Sequence, residues 1–141
     1  MRYRVVAVGR MKDAALRAAC DAYLRRLRRY ARVEEAEVKD EARILGAVPD
    51  GARLVALSRA GVGWTSRALA GRMARWEMEG RDVVFAIGGA DPLPAPVVRA
   101  AELVWSLSAL TLPHEIARLL VLEQLYRACT IQRGEPYHRG P

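Results

Sequence analysis

The chain has two histidines, and each lies among residues that suit proton transfer or anion binding. His114 follows the uncharged run Leu107–Pro113, and His138 lies in the tail segment Pro136–Arg139. Histidine titrates near neutral pH and serves as a general acid or base, while a tyrosine ring such as that of Tyr137 stacks on unpaired RNA bases. By position alone, His138 lies three residues from the end of the sequence and is explained as part of a disordered tail. By position alone, His114 is explained equally well as the first residue of a helix.

A second candidate site consists of loops that follow apolar strands. Ile87 ends an apolar run, and Gly88 and Gly89 after it lack a Cβ, so their backbone can approach a ligand closely. The loop 107–112 alternates apolar with small hydroxylic residues and has no charge, which is unusual for a loop. Either a flat ligand such as adenine or the rest of the fold must cover it. The chain has neither the glycine motif that binds dinucleotides nor the one that binds nucleoside triphosphates. Their absence argues against nucleotide hydrolysis.

The net charge of +7 excludes an acidic solvating protein and indicates a polyanionic partner, either nucleic acid or an anionic membrane surface. Of the 23 cationic residues all but Lys12 and Lys39 are arginine, a ratio that a preference for arginine codons explains equally well. Two groups of arginines are expected to bind the phosphates of such a partner in a salt-sensitive way. The first lies on a helix and the second near the tail: Arg17, Arg25, Arg28, Arg29 and Arg32, then Arg127, Arg133 and Arg139.

Apolar runs alternate with helical periodicities along the chain, which predicts an α/β fold with a mainly parallel sheet and helices on both faces. Strands are expected at 2–8, 33–38, 53–57, 82–87 and 103–107. Helices are expected from Asp13 to about Tyr30, from Thr65 or Ser66 to Glu79, at 96–101, and from His114 to about Gln132. Residues 60–63 are expected to form a loop. Since ligands bind beyond the carboxyl ends of parallel strands, the loops after Leu57, Ile87 and Ser106 are predicted to share one crevice.

The length fits a single domain, 1–141, with a short functional tail at 134–141. Cys20 and Cys129 lie far apart within apolar helical patterns, so we expect buried free thiols and neither a disulfide nor a metal site. The chain opens on no signal-peptide pattern, and no apolar run reaches the ~18 residues that span a bilayer. A soluble cytoplasmic protein is the expectation.

Four segments resemble the RlmH family: Ile87-Gly88-Gly89, Trp105–His114, Glu123–Ala128 and Pro136–Arg139. These are SPOUT-class methyltransferases that use S-adenosylmethionine to methylate N3 of a pseudouridine in 23S rRNA of the large ribosomal subunit. The resemblance covers nearly the whole chain. It implies a SPOUT-type fold with a C-terminal trefoil knot, a homodimer, and rRNA within the ribosome as the substrate.

The resemblance also implies site residues. A cofactor site is expected at Leu57, Gly88, Gly89, Leu107, Ser108, Ala109, Leu110, Thr111 and Leu112. Catalytic contacts are expected from His138 first, and from Tyr137, Arg139, His114 and Arg127. Arg127 lies four residues after Glu123, so an ion pair within the helix explains it equally well. The chain departs from the family at Ala90-Asp91-Pro92, where relatives have Pro-Glu-Gly, and in a shorter segment 38–51 without a basic stretch.

The segment Ile116–Leu125 is apolar on more than one helical face, which predicts dimerisation through the last helix. Two other functions remain open. One is a non-catalytic basic module, dimeric, that binds RNA or associates with the ribosome, and the other is a methyltransferase for small molecules. Affinity for S-adenosylmethionine separates the first from an enzyme, and turnover without RNA identifies the second.

Overall fold

The computed structural model describes residues 1–141, and its framework is one sheet of five parallel strands. The strands are β1 (Tyr3–Val8), β2 (Val33–Val38), β3 (Arg53–Gly63), β4 (Val83–Ile87) and β5 (Leu103–Ser106). The helices are α1 (Ala14–Leu27), α2 (Ser66–Glu79), α3 (Ala95–Ala100) and α4 (His114–Gln132), with short 3-10 turns at Glu41–Arg43 and Leu45–Ala47. The strand order β2-β1-β4-β3-β5 confirms the predicted parallel α/β architecture.

The two faces of the sheet are covered unequally. Alternate strand residues such as Tyr3 and Val5 point into a large core formed with α1, α2 and α4. Val6 and its neighbours on the opposite face pack with Ile44 of the 3-10 segment and Val97 of α3 in a smaller core. The prediction of helices on both faces is confirmed. None of these helices is both long and apolar enough to cross a membrane.

Short-range signals set the helix ends. The carboxylate of Asp13 accepts a hydrogen bond from the backbone of Leu16 (3.0 Å), and Thr65 caps α2 in the same way. Gly80 ends α2 in the left-handed conformation with φ of 76°. Helix α1 ends at Leu27, one turn earlier than the periodicity suggested. The chain continues into a turn that still packs the Tyr30 ring against the core.

The predicted loop at residues 60–63 is wrong, because β3 continues through it to Gly63. Leu57 and Val62 both pair with Trp105, so the residues between them bulge out and the strand then resumes beside β5. A Cβ on Gly61 would lie 2.5 Å from the carbonyl oxygen of Val104. Glycine serves here for close backbone approach rather than for a turn, and the sequence does not distinguish those two uses.

Arg118 is a buried cation that the sequence did not single out. Its side chain is 1% exposed and lies between α4 and β2, where it pairs with Glu35 (2.9 Å) and Glu37 (2.8 Å). It also donates to the carbonyl of Gly9 (3.3 Å). Burial alone would raise the pKa of the Glu37 carboxyl, but the hydrogen bond and charge of Arg118 outweigh it and hold that pKa below its usual range. Arg118 therefore ties α4 to β1 and β2.

Both cysteines are buried free thiols, as predicted. Burial raises the pKa of Cys20 to about 11 and that of Cys129 to about 12. Neither thiol is therefore activated as a nucleophile at neutral pH.

Candidate functional site

A cleft of about 460 Å³ opens beyond the carboxyl ends of β4 and β5 and beside the bulge of β3. Ten of its nineteen lining residues are hydrophobic, a composition typical of sites for small organic ligands. Eight of the nine residues expected to bind a cofactor line it: Leu57, Gly88, Gly89, Leu107, Ser108, Leu110, Thr111 and Leu112. The ninth, Ala109, is exposed and does not line it. The three loops predicted to share one crevice therefore do so.

Hydroxyl groups organise the loop after β5. Ser106 donates its hydroxyl hydrogen to the carbonyl of Ser108, whose own hydroxyl accepts from the backbone of Leu110, both at 3.0 Å. Residues 109–111 are exposed, and the Leu110 side chain is 72% exposed. The rest of the fold thus leaves this part of the loop uncovered, and its apolar side chains face the cleft mouth.

The segment after β4 folds back tightly on itself. A Cβ on Gly88 would lie 2.9 Å from the carbonyl oxygen of Asp91, and one on Gly89 would lie 3.2 Å from Val8. A side chain at position 88 would push the segment out of place, whereas one at position 89 would press on the Val8 side chain. Although Ala90-Asp91-Pro92 departs from the family pattern, all three residues line the cleft.

The sequence missed Arg59, which lies in the bulge of β3 two residues after Leu57. Its guanidinium donates to the hydroxyl of Thr111 (3.1 Å) and so joins two of the loops. Arg59 and Asp91 are the oppositely charged residues among those that line the cleft. The signal available in the sequence was the position of Arg59 just beyond an apolar strand.

The C-terminal tail is docked against the second half of α4. The Tyr137 hydroxyl donates to the carboxylate of Glu123 (2.8 Å) and lies 3.2 Å from the Tyr23 hydroxyl. Burial and these hydrogen bonds raise the pKa of Tyr137 above its ordinary value. Arg127 forms the predicted ion pair with Glu123 (2.7 Å), and this hydrogen bond raises the pKa of Arg127. Its guanidinium also stacks over the Tyr137 ring at 4.7 Å.

Hydrogen bonds orient the ring of His138. Its Nδ1 lies 3.2 Å from Nη1 of Arg127, and its Nε2 lies 2.8 Å from the carbonyl oxygen of Gly140. A guanidinium only donates and a carbonyl only accepts, so these partners select the tautomer with hydrogen on Nε2. Arg139 is exposed and forms no hydrogen bond or ion pair within the chain. The docked tail thus presents an imidazole and a free arginine at the surface.

The five predicted catalytic residues fall into two places. His114, in the first turn of α4, lines the cleft. Arg127 follows thirteen residues later on the same helix, about 20 Å along its axis, and it holds Tyr137 and His138 there. A single chain therefore does not bring its tail to its own cleft. Glu123 and Tyr23 position the tail. In the sequence, Glu123 was recognisable only as the ion-pair partner of Arg127, and Tyr23 only as a core residue.

Comparisons with known proteins agree on one family. The family model described as "Predicted SPOUT methyltransferase" matches residues 1–138. A protein of Sorangium cellulosum called ribosomal RNA large subunit methyltransferase H is 49% identical, over 97% of this chain and 99% of its own length. A protein of the same name from Anaeromyxobacter sp. is 44% identical, over 99% of this chain and 100% of its own.

Two solved structures share the fold at low sequence identity. A probable methylase family protein from Haemophilus influenzae superimposes with a TM-score of 0.67 at 14% identity, over 98% of this chain and 70% of that chain. A methyltransferase from Legionella pneumophila, solved in complex with its cofactor SAM, has a TM-score of 0.52 at 10% identity, over 91% of this chain and 66% of that one. At these identities the likeness concerns the fold alone.

Proposed function

This chain belongs to the SPOUT methyltransferase family, and from that premise we propose that it uses S-adenosylmethionine to methylate 23S rRNA of the large ribosomal subunit, at N3 of a pseudouridine. The observation that carries the proposal is the 49% identity, over nearly the full length of both chains, to a protein named for methylation of large-subunit rRNA. The proposed substrate is the ribosome, which places the protein in the cytoplasm.

The residues of the cleft fit S-adenosylmethionine. Leu107, Leu110 and Leu112 offer apolar surface for a flat purine ring, and the loop backbone offers polar groups for its nitrogens. A Cβ on Gly88 would displace the neighbouring backbone. Glycine therefore lets the chain fold back closely where it lines the cleft. Arg59 and Asp91 offer opposite charges for the carboxylate and amino groups of a zwitterion. When bound, this cofactor supplies a methyl group that its sulfonium already activates.

The remaining chemistry is the loss of the N3 proton. An imide N–H is a weak acid at neutral pH, so a nearby base or a cation beside the developing imide oxygen lowers the barrier. In the tail, Arg139 and the neighbouring Arg127 are the cation candidates, and His138 is a base candidate once its Nδ1 is released from Arg127. Tyr137 packs its ring against Tyr126 and Arg127, which holds this set in place. His114 at the cleft is the second base candidate.

The distance between tail and cleft leads us to propose a homodimer in which the tail of one copy completes the cleft of the other. The apolar side chains of Ile116 and Leu120 are half-buried and pack against neither core, so they offer a surface for a second α4. A dimer mass in light scattering at micromolar concentration supports this arrangement. A strictly monomeric mass in an active preparation contradicts it.

The experiment that tests the function is transfer of a labelled methyl group to intact ribosomes, isolated large subunits and free rRNA from a strain that lacks this activity. Label in 23S rRNA, mapped to N3 of a pseudouridine, is the expected result. Absence of label from all three, with a folded protein that binds rRNA and has no affinity for S-adenosylmethionine, identifies a non-catalytic RNA-binding module instead. Turnover of a small molecule without RNA identifies a different methyltransferase.

A further inference from the structure

A group of arginines without acidic partners lies where α1 ends. Between Asp21 and Glu34 the chain has five arginines and no acidic residue. With one arginine from the end of α4 they form what we call the α1 arginine surface: Arg25, Arg26, Arg28, Arg29, Arg32 and Arg133. All six are exposed, and none lies within ion-pair distance of a carboxylate.

Other arginines of the same helix and sheet are neutralised. Arg17, which the sequence placed with this group, instead pairs with Asp21 (2.9 Å) and Glu35. Arg4 pairs with Glu34 at 2.6 Å. The fold thus supplies acidic partners to arginines that border this surface and none to the six that form it. The nearby carboxylates already pair with those other arginines. The α1 arginine surface therefore keeps a positive electrostatic field.

Stabilisation of the helix end explains only part of the group. Arg25 and Arg26 lie in the last turn of α1, where cations interact favourably with the helix dipole. Arg28, Arg29 and Arg32 follow the helix end at Leu27, beyond the last turn in which that effect acts. These three side chains need another explanation.

Tyrosine rings hold several of these guanidinium groups by their faces. Arg29 and Arg133 both lie over the ring of Tyr30, at 5.4 and 4.7 Å from its centroid. Arg26 lies 4.9 Å from the centroid of Tyr23. A guanidinium that stacks through its face keeps its N–H edge free, and that edge matches the geometry of a phosphate. The surface is therefore organised for anions before any ligand arrives.

A concavity of about 300 Å³ lies within this region, separate from the cleft. Its lining includes Arg2, Arg28 and Arg32 and a single acidic residue, Glu34. The hydrogen bond and charge of Arg4 lower the pKa of Glu34, and Arg4 and Arg2 neutralise its charge. Arg28 and Arg32 remain uncompensated, so the concavity suits an anionic group.

The α1 arginine surface adjoins the docked tail. The Tyr23 hydroxyl lies 3.2 Å from that of Tyr137, and the Tyr30 hydroxyl donates to Glu135 at 2.6 Å. We propose that this surface binds the phosphodiester backbone of rRNA beside the target nucleotide, with one phosphate in the concavity at Arg28 and Arg32. This inference rests on the proposed function, which places the tail at the target base. No large apolar side chain is exposed on the surface, which disfavours a lipid bilayer as the partner.

The test removes Arg28 and Arg32 together, as Arg28→Ala with Arg32→Ala. The matched control is Arg67→Ala with Arg75→Ala, two exposed arginines of α2 that also lack acidic partners. At 150 mM salt we expect the affinity for 23S rRNA to fall roughly fivefold, because one phosphate contact contributes about 0.7 to 0.9 to the slope of log affinity against log salt. The slope of log affinity against log salt is expected to fall as well. We expect KM for large subunits to rise, with kcat and affinity for S-adenosylmethionine unchanged.

Other outcomes overturn the inference. An equal loss in the α2 control shows a diffuse effect of net charge rather than a site. Lost binding to phosphatidylserine vesicles with unchanged binding to rRNA shows a membrane surface. The variant Arg28→Lys with Arg32→Lys keeps both positive charges, so we expect it to retain most of the affinity for rRNA. Urea unfolding checks that every variant is folded.

The two proposals fail in different ways. If the wild type transfers labelled methyl groups to rRNA but the double alanine variant binds and methylates rRNA normally, the proposed role of the α1 arginine surface is wrong and the proposed function stands. If the wild type labels no RNA yet rRNA binding falls in the variant, the surface stands and the proposed function is wrong.

Discussion

Arg127 lies with its guanidinium 4.7 Å over the ring of Tyr137, so a residue in the middle of α4 holds a side chain four residues from the chain end. The same guanidinium reaches Glu123 and His138, and it therefore couples the helix to the two aromatic groups of the tail. A planar group with several donors suits this arrangement, whereas an ammonium has neither the stacking face nor the fork.

Arg127→Lys is therefore expected to lower methyl transfer by roughly tenfold or more, because hydrogen bonds to charged groups contribute about 1.5 to 3 kcal/mol. Affinity for S-adenosylmethionine in calorimetry is expected to stay within about twofold, since Arg127 lies about 15 Å along α4 from Ala117 at the cleft and is proposed to act at the target base rather than on the cofactor. Arg75→Lys, on the exposed face of α2, is the matched control. Normal transfer by the Arg127 variant contradicts the role of the cluster.

Gly88→Ala tests the segment after β4 that lines the cleft. Its Cβ would lie 2.9 Å from the carbonyl oxygen of Asp91, so the segment that lines the cleft has to move. We expect affinity for S-adenosylmethionine to fall at least about tenfold, in line with the ~1–3 kcal/mol that overpacking costs. Gly46→Ala, with no atom within 4 Å of the new Cβ, serves as the control in the same calorimetry. Unchanged affinity at position 88 contradicts the proposed cofactor site.

Gly61→Ala tests the close approach of β3 to β5. The new Cβ would lie 2.5 to 2.9 Å from backbone atoms of Val104 and Trp105, which cannot rotate away. The free energy of unfolding in urea is expected to fall by about 2 kcal/mol or more. Gly63→Ala, two residues along the same strand, meets no atom within 4 Å and is expected to be neutral or slightly stabilising. Equal effects of the two changes contradict this explanation.

Arg118→Met tests the buried ion pairs between α4 and β2. Removing Arg118 takes the buried cation away from Glu35 and Glu37 and leaves them only the half-buried Arg17, so the loss approaches the roughly 3–5 kcal/mol of a broken buried pair. The control is Arg43→Met, whose exposed pair with Asp40 at 3.6 Å is worth at most about 1 kcal/mol. Urea unfolding at pH 7 measures both, and similar losses contradict the distinction.

The same variant has a pH signature. Because Arg118 lowers the pKa of Glu37 in the folded chain, the stability from Glu37 is complete above its unfolded pKa of about 4.3 and is lost as the pH falls through the folded value. The wild type should therefore lose more stability than Arg118→Met between pH 7 and about pH 3, a window that passes through both values. Parallel pH profiles contradict this linkage.

Thiol reactivity tests the burial of the cysteines. With pKa values raised to about 11 and 12, Cys20 and Cys129 stay protonated at pH 8 and are shielded from reagent. Ellman's reagent should modify neither in the native protein and both after unfolding in guanidinium. Rapid modification of the native protein contradicts the buried positions.

Much of the fold was predictable because it depends on residues close together in the chain. The apolar run 83–87 has no polar position and so belongs to a strand buried on both faces, and Asp13 and Gly80 mark helix ends through local hydrogen bonds and backbone conformation. The loop 107–112 was recognisable because uncharged loops are unusual.

The remaining features depend on partners that are distant in sequence. Gly61 belongs to a strand because of the β5 backbone beside it, and Arg118 is buried because carboxylates of β2 meet it across the sheet edge.

The sequence by itself determined the parallel α/β class, the helix starts and which segments share a cleft, since alternating strand and helix periodicities imply parallel strands whose carboxyl ends lie at one edge of the sheet. Only the tertiary structure decided that the tail docks on the second half of α4, away from the cleft, and that Arg17 is neutralised while Arg28 and Arg32 are free. The physical reason is that ion pairing and docking depend on which distant side chains the packing brings within a few ångströms.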